Sequence, residues 1–146
     1  MKLALGTAQF GLDYGISNSK GQVTLSEVKK ILHYANSKGL TTLDTASEYG
    51  NSEKKLGKIG VSNFQIITKT TSLTNNLNNV IKNFQRSLVY LDVKQVYGLL
   101  IHNVDDIKSK KFDDLFDKLH EIKALGKIKK LGFSIYTPEQ ASFLLN

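Results

Sequence analysis

A short apolar run followed by an amphipathic helix, five times over, is the pattern that most limits what this chain can become. The runs lie at 3–7, 41–46, 65–70, 95–102 and 131–136. After the first, Gly11, Gly15 and Gly21 punctuate a polar loop, and Thr24 to Glu27 form a capping box. Leu25, Val28, Ile31, Leu32 and Ala35 then share one helical face, and Gly39 suits its stop. Asn51 and Ser52 open a short lysine-rich helix that ends near Gly57 or Gly60. Leu77, Val80, Ile81, Phe84 and Leu88 mark the next helix. Phe112, Leu115, Phe116, Leu119, Ile122 and Leu125 mark another, stopped by Gly126. Thr137-Pro138 starts the last, with proline at its first position.

Strands alternating with such helices predict an α/β fold, a parallel sheet of right-handed βαβ units. Runs such as Ile66-Ile67 and Leu99-Leu100-Ile101 are apolar on both faces, as a covered parallel sheet requires. Either part of a (β/α)8 barrel or an open doubly wound sheet fits. The strand ends decide for the barrel. Asp44, Lys69 and His102 lie at the carboxyl ends of the second, third and fourth strands that these runs predict, and Ser134 falls late in the fifth. Active sites of (β/α)8 barrels gather at that carboxyl rim from several strands. A nucleotide-binding doubly wound sheet would carry a GxGxxG turn, and Gly6, Gly11 and Gly15 lack that spacing.

Taken singly, each residue has a bland reading. Asp44 suits a turn or a helix cap, Tyr49 an ordinary packed aromatic, and His102 a satisfied core histidine. Lys69 is harder to dismiss, because lysine is depleted in strands. On successive strand ends they read as one shared site. His33 and His120 fall on helices away from that rim and read as surface or packing residues, and Tyr97 and Tyr136 as core.

Gly6-Thr7, the stretch DTASEYGNSEKKLG at 44–57, ITKT around Lys69 and LLIHN around His102 together resemble the aldo-keto reductases. The resemblance runs through the whole chain in order. It implies a (β/α)8 barrel that reduces carbonyl groups with NADPH. It assigns Asp44, Tyr49, Lys69 and His102 as the catalytic tetrad, and Gly6, Thr7, Asp44 and Ser134 as cofactor-binding positions. One departure stands out: the family reads Ser-Asn where this chain has Ser134-Ile135, which removes one amide from the nicotinamide side of the site.

The chemistry asks for these residue types. Reducing a carbonyl needs a hydride and a proton for the developing alkoxide. A phenol is a reluctant acid at neutral pH, and a nearby ammonium stabilises the phenolate it leaves. Lys69 would supply the ammonium, Asp44 would keep it charged and oriented, and His102 would hydrogen-bond the carbonyl oxygen.

Size and charge set the outer limits. A whole barrel is typically ~250 residues, whereas this chain has 146 and reaches only a fifth strand. The expectation is about five βα units of an incomplete barrel, spanning residues 1–146, with unpaired edges and an inner face open to water. Such a piece is expected to be completed by a second chain, to self-associate, or to be a truncated, non-enzymatic remnant or interaction module. The net charge of +7 invites a nucleic-acid reading. Its lysines, among them Lys29, Lys30, Lys54, Lys110, Lys129 and Lys130, are expected in helices or helix ends among acidic residues, as on a solvated face. Salt-dependent binding to random DNA would revive that reading. There is no cysteine, so no disulfide framework or thiolate zinc site. Neither a signal peptide nor a membrane span is evident, so the default expectation is a cytoplasmic protein with a small carbonyl compound as its partner.

Overall fold

The computed structural model describes residues 3–73 and 76–145. Five parallel strands lie side by side in chain order: β1 (Ala4–Gly6), β2 (Thr42–Asp44), β3 (Gln65–Lys69), β4 (Val96–Ile101) and β5 (Ile128–Phe133). Sequential order in a parallel sheet is what an unrolled barrel wall looks like. Helices α1 (Ala8–Gly11), α2 (Leu25–Ser37), α3 (Ser52–Ile59), α4 (Leu77–Leu91), α5 (Phe112–Ala124) and α6 (Pro138–Leu145) connect or follow the strands. A 3-10 turn, Val104–Lys108, precedes α5. The fold is α/β, an incomplete barrel, with β1 and β5 as its two edges.

Register divides the sheet into two faces. Leu5, Leu43 and Ile66 are cross-strand partners, as are Thr68, Leu99 and Leu131. Leu43, Ile66, Leu99 and Ile101 are buried and join the core with Val28, Leu32, Leu56, Val80, Phe84, Leu115 and Leu119 of the helices. The opposite face carries Gly6, Asp44, Ile67 and Gly98 in one row, and Lys69, Leu100 and Gly132 in the next. Alternation along a strand thus sends one set of side chains under the helices and the other toward the would-be barrel interior.

Local signals account for most element ends. Thr24 caps α2, its hydroxyl accepting from the Glu27 N–H, while the Glu27 carboxylate turns to Lys30 at 3.2 Å. Asn76 caps α4 by accepting from the Asn78 N–H.

Several expectations need correction. The fifth strand starts three residues before the expected 131 and ends at Phe133, so Ser134 follows the strand and Lys129 and Lys130 lie within it. Its first half looked polar because it is an edge of the sheet, where lysines remain solvated. Tyr136 is 76% exposed and not core, while Tyr97 is half-buried with Lys129 and Lys130 over its ring. Leu125, expected on the apolar face of α5, is 75% exposed beyond the end of that helix. The one-turn helix α1 and the 3-10 turn carry no period long enough to be read in advance.

Candidate active site

The site grows from the carboxyl ends of β2 and β3. Asp44 is the last residue of β2 and Lys69 the last of β3, and their strands pair directly. The Lys69 side chain is only 5% exposed, so its ammonium must find acceptors inside the protein. It finds three. Lys69 Nζ donates to Asp44 Oδ1 at 2.6 Å, to the Thr45 carbonyl at 2.9 Å and to Tyr49 Oη at 3.3 Å. An ammonium has three donors and no acceptor, so its capacity is filled. The Tyr49 oxygen therefore accepts from Lys69, and its own proton is left to point elsewhere.

The loop that carries Tyr49 is held by backbone. Its N–H donates to the Ala46 carbonyl at 3.0 Å, and its carbonyl accepts from the Ser52 N–H at 3.0 Å. Helix α1 presses on this turn so closely that a Cβ at Gly11 would lie 1.7 Å from the Tyr49 carbonyl oxygen. Gly50 adopts the left-handed region at φ 55°, with the Gly11 carbonyl where its own Cβ would go. Beneath, Ser52 Oγ donates to Thr7, and Thr7 Oγ1 donates to the Asp44 carbonyl at 3.0 Å. This buried hydroxyl cluster ties β1, β2 and α3 together under the tetrad.

His102 follows β4, its N–H donating to Thr70 Oγ1 at 3.3 Å. Its ring meets the Tyr49 ring edge-on, with centroids 6.1 Å apart and planes at 78°. Its Nδ1 lies 3.0 Å from Glu48 Oε2. All four tetrad candidates therefore converge. Of the other candidates, Gly6 is exposed beside Asp44 with open space where a Cβ would be, and Ser134 is half-buried with its N–H bonded to the Ile101 carbonyl at 2.9 Å. Thr7 is different. Its side chain is fully buried and turned inward, so it supports Asp44 from behind and does not face the site.

Sequence reasoning passed over two carboxylates in the same motif. Glu48 stands immediately before Tyr49 and reaches His102. Glu53 is buried between α3, β3 and α4, accepting from Thr68 Oγ1 at 2.7 Å. Burial holds the Glu53 carboxyl above the usual carboxylate range, against the opposing pull of Thr68, Ser87 and Arg86. Among the charged residues of the stretch 44–57, only the pairing partners tell these roles apart, and sequence does not supply partners.

The sequence model described as Aldo/keto reductase family matches residues 2–145. The chain belongs to that family. A Pseudomonas aeruginosa protein assigned to the aldo-keto reductases is 25% identical, with a TM-score of 0.81 over 99% of this chain and 59% of its own. The glycerol dehydrogenase of Gluconobacter oxydans is also 25% identical, with a TM-score of 0.73 over 99% of this chain and 47% of its own. An aldo-keto reductase of Bacillus halodurans, in its holo form, shares the fold at 18% identity and a TM-score of 0.73 over 99% of this chain and 49% of its own. This member of the family thus spans roughly half the length of the structures it matches. None of the curated protein sequences matches it. No helix among the described residues is long and apolar enough to cross a membrane.

Proposed function

We propose that this chain carries the catalytic part of an NADPH-dependent reductase of aldehydes or ketones, active once the barrel is completed. The nicotinamide cofactor, when bound, supplies the hydride. Tyr49 gives its proton to the developing alkoxide, and Lys69 stabilises the phenolate left behind. Asp44 pairs with Lys69 and holds it in place. His102 engages the carbonyl oxygen and fixes its position. Gly6, Asp44 and Ser134 would line the nicotinamide side of the cofactor, with Thr7 acting behind Asp44. The observation that carries the reading is the filled donor set of Lys69, which leaves the proton of Tyr49 free to be given away.

A second reading has its own support. The two sheet edges and the partial match to solved relatives suit a remnant or interaction module that keeps the motif by descent. Completion by a second chain, or by self-association, belongs to the first reading. Titrating NADPH against the purified chain with an aldehyde present, while following its size in solution, separates the two. Cofactor binding and NADPH consumption that rise with association support the reductase. Loss of both at every size supports the remnant.

A further inference from the structure

Glu48 has no part in the tetrad, yet its carboxylate makes the closest side-chain polar contact to His102, at 3.0 Å from Nδ1. An ionised carboxylate can only accept a hydrogen bond, so the ring nitrogen facing it must carry the hydrogen. Resting on the reductase reading above, we propose that Glu48 is a positioning residue that fixes His102 as the Nδ1–H form, so that Nε2 offers a substrate a lone pair when the ring is neutral and a donor only when the ring is protonated.

The consequence reaches the chemistry. A carbonyl oxygen accepts, so it is held by the imidazolium. An alcohol hydroxyl donates, so it is held by the neutral ring. One residue therefore suits the two ends of the reaction in its two protonation states, with Glu48 deciding which nitrogen is presented. The titratable groups around the ring are Glu48 at Nδ1 and Tyr49 at its edge, with Lys69 and Asp44 beyond the phenol. Glu48 is half-exposed and makes this bond from a loop, so removing its side chain creates no cavity.

Nitrogen NMR of the full chain, labelled at histidine, tests this without any turnover. The chain has three histidines, and His33 and His120 are exposed on helices, so they serve as internal references. The expected result is His102 mainly Nδ1–H when neutral, and a shift to mainly Nε2–H in Glu48→Ala with His33 and His120 unchanged. A neutral His102 that is already mainly Nε2–H in the parent chain overturns the proposal, as does a Glu48→Ala spectrum with no shift at His102. If Glu48→Ala perturbs all three histidines, the parent spectrum alone decides. The tautomer is read whether or not the chain reduces anything. Failure of the reductase reading shows instead as absent NADPH consumption with the histidine result intact.

Discussion

The middle of the sheet and its β5 edge are built from similar apolar residues and end up in opposite conditions. Leu43, Ile66, Leu99 and Ile101 on β2, β3 and β4 are at most 3% exposed. Leu131 and Phe133 on β5 are only half-buried, and α6 buries none of its residues, with Phe143 at 53% and Leu145 at 87% exposed. A strand flanked on both sides and covered by helices has its outer face fully closed. A strand with one neighbour does not. The difference teaches that burial in this molecule is set by neighbours more than by residue type, and that the tetrad rests mostly on the closed part.

The sharpest test of that contrast is in the site. In protein with measurable turnover, Tyr49→Phe should lower kcat by about 10²–10⁴-fold, the usual share of a positioned proton donor, while NADPH affinity stays nearly level. Full turnover in that variant would overturn the proposed role of Tyr49 and, with it, the functional weight placed on the closed sector.

Next comes packing. Leu43→Ala empties a fully buried position and should cost about 2–5 kcal/mol in chemical denaturation. Gly11→Ala, with its new Cβ against the Tyr49 carbonyl, should cost about 1–3 kcal/mol and disturb the aromatic contact of Tyr49 with His102, visible in the His102 ring signals.

Glu53 gives a smaller effect with a sign. Its carboxyl is held above the usual range, so the native protein keeps this proton where the unfolded chain has lost it. The stability from protonated Glu53 is complete below the unfolded value and is lost as pH rises through the folded one. Glu53→Gln, which keeps an acceptor for Thr68, should flatten that fall, read as denaturation midpoints that depend less on pH.

At the other end of the scale, Leu145→Ala should change stability by less than about 0.5 kcal/mol. A loss as large as that of Leu43→Ala would mean that α6 is covered in solution, and the contrast between the two regions would dissolve.

Strand and helix order, the parallel sheet and the placement of Asp44, Lys69 and His102 near strand ends were legible in sequence because each has a local signature. Alternating apolar runs and helical faces report periodicity, and Asp44, Lys69 and His102 sit toward the carboxyl ends of those runs. The start of β5 was not legible. Lys129 and Lys130 look like a helix end until the strand is seen to be an edge, where lysine can stay in water. The inward turn of Thr7 was hidden for the same kind of reason: nothing in Gly6-Thr7 says that Ser52, far along the chain, is waiting beneath it.

By itself, then, the sequence determined that Asp44, Tyr49, Lys69 and His102 carry the family motif and in what order the chain delivers them to one rim. Only the tertiary structure decided who pairs with whom: that Lys69 spends its three donors on Asp44, Thr45 and Tyr49, that Glu48 takes the histidine, and that Glu53 is buried. Periodicity is written within a few neighbouring residues, whereas a hydrogen bond or a buried charge is defined by groups that meet only after the chain has folded.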